Sequence, residues 1–188
     1  MGFPHGFKAR ANRISLGVRE QMGLTPVCAI DPAAVCAHFD IRLIPLSEIA
    51  PDSPFLRGES STFSAVTVPR GHQRAIVHND VHHIHRQRSN ISHELAHCFL
   101  GHPCTPPLME DGQRSRHSGY EAEANFLAGT LLLPNEACLH ILQNALSSQA
   151  KIIYGISSAM LTYRMRMSGA NTIFERRMWK DRRRAVGA

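Results

Sequence analysis

His93-Glu94-Leu95-Ala96-His97 decides how this chain is read. Residues i and i+4 share one face of a helix, so both imidazoles can meet a single metal ion. Glu94 sits beside the first imidazole and can reach a water at that ion as general base. A zinc ion would lower the pKa of such a water and polarise a carbonyl. The spacing works only on a helix, and residues 88–100 read as one, with Gly101 as its stop. A catalytic zinc site takes three protein ligands and keeps one position open. In His93-Glu-Leu-Ala-His97-Cys-Phe-Leu-Gly101-His102 the last two residues fall at the wrong offsets for H-E-x-x-H-x-x-G-x-x-H. The third ligand must come from elsewhere.

A Glu on a following helix is the other common source. Tyr120-Glu121-Ala122-Glu123-Ala124-Asn125 opens such a helix, predicted over 119–133. Glu121 and Glu123 point roughly 200° apart on it, so only one can face the metal. Glu121 is preferred. Asn125 lies four residues later on its face and could hydrogen-bond a ligand His, and Ala124, Leu127, Ala128 and Leu131 lie on or near that face. Glu123 is the alternative ligand and is otherwise a solvated charge.

Outward from the motif, helical periodicity covers 6–23. Asp31-Pro32 starts a second helix, with Asp as N-cap and Pro at the first position, and it runs to Asp40. Ile41–Leu46 reads as a strand, and 50–60 as loop. Thr62–Val68 and Gln73–His78 flank a Pro-Arg-Gly-His turn and predict a hairpin. Residues 103–118 form a long Pro-, Gly- and Ser-rich loop. Pro134 opens a helix to about Leu146, and two short helices follow near 148–154 and 157–167. The fold class is α+β, with a small sheet packed on the motif helix. The division expected is 1–146 for the catalytic domain, 147–170 for a helical element and 171–188 for a basic tail.

The chain has 188 residues and a formal charge of +6, unevenly distributed. From Arg164 onward there are eight basic and two acidic residues, so residues 1–163 carry thirteen of each and no net charge. No run approaches the roughly 20 apolar residues of a membrane span. No secretory signal is visible, and five Cys without a CxxC pair argue against a disulfide scaffold, so a reducing cytoplasm is expected. Seven of the 12 His lie between His78 and His102. The run His78, His82, His83, His85 could hold a second metal, but Asn79-Asp80 suggests a turn, and a polar loop near the active-site entrance is the preferred reading.

The segment Arg86-Gln-Arg-Ser-Asn-Ile-Ser-His93-Glu-Leu-Ala-His97, with Gly101-His102 after it, resembles the ImmA/IrrE family of bacterial metallopeptidases. So does Glu121-Ala-Glu-Ala-Asn125-Phe-Leu-Ala128 followed by Leu131-Leu-Leu-Pro134, and so does Ile30-Asp31-Pro32 through Leu46. Ser89-Asn90 and the His78–His85 run depart from the family pattern. The resemblance implies a zincin-like fold, zinc on His93, His97 and Glu121, and Glu94 as catalytic Glu. It also implies a substrate class: helix-turn-helix transcriptional repressors, whose cleavage releases stress-response or mobile-element genes. A strand at Thr62–Val68 could pair with an extended peptide beside the zinc.

Other residues have weaker warrants. Tyr120 and His117 precede Glu121 and could donate to a developing oxyanion, or simply pack and line a loop. His102 could face substrate or hydrogen-bond a ligand, or end the helix. Cys98 reads as a small buried apolar residue. Residues 150–166 have a helix–Gly155–helix rhythm similar to the family's helix-turn-helix-like element, with Ser157 as cap. Arg164 and Arg166 there could meet phosphates, so a weak DNA contact through 150–184 is considered beside a purely packing role. The tail at 176–184 holds the only Trp and reads as solvated. The leading expectation is a cytoplasmic, regulatory zinc endopeptidase. The alternatives are a DNA- or repressor-binding regulator with a structural or vestigial zinc site, and a toxin-associated interaction protein.

Overall fold

Alternating apolar residues either side of a tight turn give the first long-range order. The computed structural model describes residues 3–58, 62–70, 73–103 and 118–186. In it β2 (Ala65–Arg70) and β3 (Gln73–His78) form the expected antiparallel hairpin, with Val66 opposite Val77 and Val68 opposite Ala75. β1 (Arg42–Pro45) joins the other side of β3 in parallel, Leu43 opposite Ile76. The order β1-β3-β2 makes β3 central, and its Ala75, Ile76, Val77 and His78 are all buried. β2 is left at an edge.

The helices follow their local signals. α1 (Phe7–Gln21) and α2 (Pro32–His38) precede the sheet; Asp31 accepts from the Ala33 N–H and Pro32 fills the first turn of α2. A short α3 (Leu46–Ile49) follows β1. α4 (Ile84–Leu100) carries the motif. It begins four residues before the expected start, because His83 Nδ1 accepts from the His85 N–H and so caps the helix. Its far end is closed by Gly101 at φ +71°, with the Gly101 N–H on Cys98 O and the His102 N–H on His97 O. α5 (Ser118–Leu132) packs along α4. Ile91, Leu95 and Ala96 of α4 meet Ala124, Leu127, Ala128 and Leu131 of α5 in one core, which also takes Ile76, Val35 and Ala11. Each buried Leu contributes roughly 1.5–3 kcal/mol.

The C-terminal third builds a second apolar cluster. α6 (Asn135–Gln143), α7 (Ala150–Tyr154), α8 (Ser158–Ser168) and α9 (Ala170–Val186) surround Leu132, Leu133, Cys138, Ile141, Tyr154, Ile156 and Ala170. The segment read as a tail is the helix α9, and its residues 175–183 are exposed, as a solvated segment requires. Ala170 is buried at its start, the Ala170 N–H is capped by Ser168 Oγ, and Arg183 lies over Trp179 at 4.6 Å. Of the two readings of residues 150–166, the packing role is the one Arg164 takes: it is fully buried and donates to Leu133 O and Asn135 Oδ1, both at 2.9 Å. The His78–His85 run is not a simple solvated loop, since His78 and His82 are buried and His83 caps α4. Among the described residues no helix is long and apolar enough to cross a membrane.

Arg164 has a counterpart in α1. Arg19, also fully buried, donates to Leu131 O at 2.8 Å, while Ser15 Oγ donates to Thr130 O at 2.8 Å. The last carbonyls of α5 have no partner within the helix, and two cationic side chains and a hydroxyl satisfy carbonyls at this end. The positive charge also suits the negative end of the helix dipole. Burial pushes the Arg19 guanidinium down to about 10, still well above neutrality. Replacing Arg164 by Met leaves the Leu133 carbonyl buried without a donor. The expected loss, read by urea unfolding, is about 2 kcal/mol; an unchanged midpoint would show that this cap does not hold α5 and α8 together.

Candidate metal centre

α4 presents two faces. Ile91, Ser92, Leu95 and Ala96 go to the core, which leaves His93, Glu94 and His97 half-buried toward the other helix and the hairpin. His93 Nε2 and His97 Nε2 stand 3.0 Å apart. Glu121 of α5 brings Oε2 to 3.4 Å from His93 Nε2 and Oε1 to 3.7 Å from His97 Nε2. Among the described residues these three form the one group able to hold a metal ion. The separations suit that role: a tetrahedral ion with ligands at about 2.0–2.1 Å spaces them roughly 3.3–3.4 Å apart. Two imidazoles and one carboxylate are the donor set of an open catalytic zinc site. The preference for Glu121 over Glu123 rested on helix geometry, and Glu121 is the one beside both His.

The outer nitrogens of the two imidazoles are each held. His93 Nδ1 lies 3.0 Å from Asn125 Oδ1, the arrangement expected from the spacing of Glu121 and Asn125. An amide oxygen only accepts, so Nδ1 carries the proton and Nε2 presents its lone pair inward. His97 Nδ1 lies 3.0 Å from His102 Nδ1, and His102 Nε2 lies 3.3 Å from Glu123 Oε2. Glu123 is therefore neither a ligand nor a solvated charge: it ends a chain that starts at His97. Burial pushes the His97 imidazole down to about 4, and the like charges of His93, His102 and Arg74 act the same way. His97 is neutral at pH 7, as a metal ligand must be.

Glu94 faces the hairpin. Thr67 Oγ1 of β2 donates to Glu94 Oε2 at 2.6 Å. Burial pushes the Glu94 carboxyl up, while the Thr67 hydrogen bond and the His93 charge pull it down. Arg74 of β3 donates to His97 O and His102 O, at 3.4 and 3.3 Å, and so ties the end of α4 to the sheet. Nothing in the sequence pattern marked Thr67 or Arg74, because both contacts depend on how the hairpin packs against α4. Tyr120 is placed with its ring stacked on His102, centroids 4.5 Å apart and planes 26° apart. His117 lies outside the described residues. Cys98 is half-buried, and burial raises its thiol pKa.

A family model described as Peptidase_M78, IrrE N-terminal-like domain, matches residues 36–166, from within α2 to the last turn of α8. No curated protein gives a match to the chain.

The buried neutral His97 makes a prediction for the metal-free protein. Its folded pKa of about 4 lies below the unfolded His value, about 6.5. Between those pH values the unfolded chain holds the extra proton and the folded one does not, so stability falls as pH falls through that window. His78, also lowered by burial, acts in the same direction. Thermal unfolding with chelator should show a midpoint dropping from pH 6.5 toward 4, and His97→Gln should flatten the drop. An equally steep drop in His97→Gln would exclude His97 as its source.

Proposed function

This chain belongs to the Peptidase_M78 family of IrrE N-terminal-like domains, and from that premise we propose that it is a zinc-dependent endopeptidase cutting a protein partner at an extended segment. The observation that carries this reading is the meeting of His93, His97 and Glu121 beside Glu94, with the β2 edge running past. His93, His97 and Glu121 would hold a zinc ion, which would supply Lewis-acid polarisation of the scissile carbonyl and activation of water near neutral pH.

The protein's own groups do the rest. Glu94 takes a proton from the attacking water and returns it to the leaving amine. Burial raises its carboxyl in the metal-free protein, against the Thr67 hydrogen bond, which lowers it. Thr67 engages Oε2 and so orients the carboxylate, leaving Oε1 for the water. Among the described residues β2 pairs with β3 alone, so its outer side can add an extended peptide strand by backbone hydrogen bonds. Pro69 lies near the end of that strand and interrupts its row of donors. Only an unfolded stretch fits such an edge, which favours a linker between folded parts of the partner. By resemblance the partner is a helix-turn-helix transcriptional repressor, cut in the cytoplasm in a regulatory step.

A DNA-binding regulator is the competing reading. Arg176, Arg177, Lys180, Arg182 and Arg183 are exposed on α9 and Arg166 on α8, and they favour contact with phosphates. The burial of Arg164 removes one expected contact, and an intact Glu94 has no purpose in a binding module. The test is co-incubation with a helix-turn-helix repressor from the same genome, followed by mass analysis of fragments. Chelation should stop cleavage and zinc restore it. Glu94→Gln should lower the rate by roughly 10²–10⁴-fold while zinc content stays at one per chain. Cleavage by Glu94→Gln at the normal rate, or duplex binding as the sole activity with and without chelator, would overturn the proposal.

A further inference from the structure

We propose that His102 and Glu123 form a positioning pair for the metal ligand His97, so that this imidazole is held by a His–carboxylate relay while His93 is held by a neutral amide. The inference rests on the metal site described above and extends it to residues outside the HExxH spacing.

The proton positions follow from the donor set. If His97 Nε2 offers its lone pair to the metal, the His97 proton sits on Nδ1. Its neighbour at 3.0 Å is His102 Nδ1, which must then accept. The His102 proton is thereby placed on Nε2, 3.3 Å from Glu123 Oε2, a carboxylate oxygen that only accepts. Every donor in the chain meets an acceptor, in one direction, ending on a negative charge. A ligand His whose far N–H is held this way keeps one tautomer and one ring orientation, and binds metal more tightly.

The protein builds this relay from local geometry. Gly101 at φ +71° turns the chain back, and the His102 N–H closes on His97 O at 3.0 Å. The same turn sets the His102 ring against the His97 ring, centroids 5.0 Å apart. Arg74 fastens both carbonyls from the sheet side. His102 is 5% exposed and Tyr120 stacks on its ring, so the middle member of the relay is shielded from water. Glu123 points away from Glu121 on α5, yet that direction leads to His102, which lies past the end of α4. Two acidic residues two apart thus serve opposite sides of the same imidazole.

Zinc affinity, by competition with a chromophoric chelator, tests the assignment without depending on substrate. His102→Phe keeps an aromatic ring against Tyr120 but removes the acceptor; it should weaken zinc by roughly 10–100-fold. His102→Asn can place Oδ1 where Nδ1 was and should recover most of that loss. Glu123→Leu should weaken zinc by roughly tenfold, and Glu123→Gln by less, because its amide oxygen still accepts. In the zinc-loaded protein with ¹⁵N-labelled His, the His97 Nδ1–H resonance should persist in His102→Asn and exchange away in His102→Phe, while that of His93 stays. Should His102→Phe fold poorly by circular dichroism, the Glu123 pair decides alone. Wild-type zinc affinity in both His102→Phe and Glu123→Leu would overturn the relay. An unmodified chain that binds no zinc would overturn the proposed function as well, so the two failures are distinguishable.

Discussion

Two imidazole nitrogens 3.0 Å apart, which must point lone pairs at the same place to hold the proposed metal, are the constraint on which the rest of the structure depends. Without outside help each ring could flip or take the other tautomer. Asn125 prevents this for His93, and His102 with Glu123 does so for His97. Those partners come from α5 and from the turn after α4. The registration of α4 against α5 is therefore part of the chemistry, and a shift of one residue between them would scatter ligands and partners alike.

That registration is held at the opposite end of α5 from Glu121. Leu131 and Leu133 carbonyls accept from Arg19 and Arg164, and the Thr130 carbonyl accepts from Ser15. Burying two guanidiniums costs solvation, and the helix terminus offsets it with carbonyl oxygens and dipole charge. α1 and α8 thus grip one helix from two sides. The C-terminal cluster contributes to the site through this grip, although none of its residues lies beside the metal ligands. The Arg164 side chain also passes so close to Gly129 that a Cβ there would lie 2.9 Å from its Cδ. The absence of a side chain at position 129 is what lets α8 approach.

The hairpin sets the other half of the geometry. β3 is central and buried, and both β2 and β3 pack against α4. Thr67 and Arg74 act across that packing from neighbouring strands. One orients the Glu94 carboxylate and the other ties down the carbonyls at the end of α4. For Glu94 to act as the proposed general base its carboxylate must stay aimed, and Thr67, on the strand proposed to receive substrate, supplies a hydroxyl that holds it.

Local sequence was enough for whatever local physics decides. The i, i+4 His pair, the Asp31-Pro32 start, the Gly101 stop, the alternating hairpin and the Glu121–Asn125 face depend on periods of 3.6 or 2 and on backbone preferences within a few residues. Those expectations hold in the fold, as does the α+β class. Tertiary structure decided everything that depends on what a side chain meets at long range. Arg164 reads as either a phosphate contact or a packing residue, and its role as a buried cap appears only when the folded chain brings Leu133 O and Asn135 to it. Residues 171–188 read as a basic tail, and Ala170–Val186 form a helix whose first residue packs into the C-terminal apolar cluster. Glu123 reads as a spare charge and ends the relay, because the turn at Gly101 and the packing of α4 on α5 carry His102 to it. A charged side chain in sequence has no stated partner, and its role follows from the partner the fold supplies.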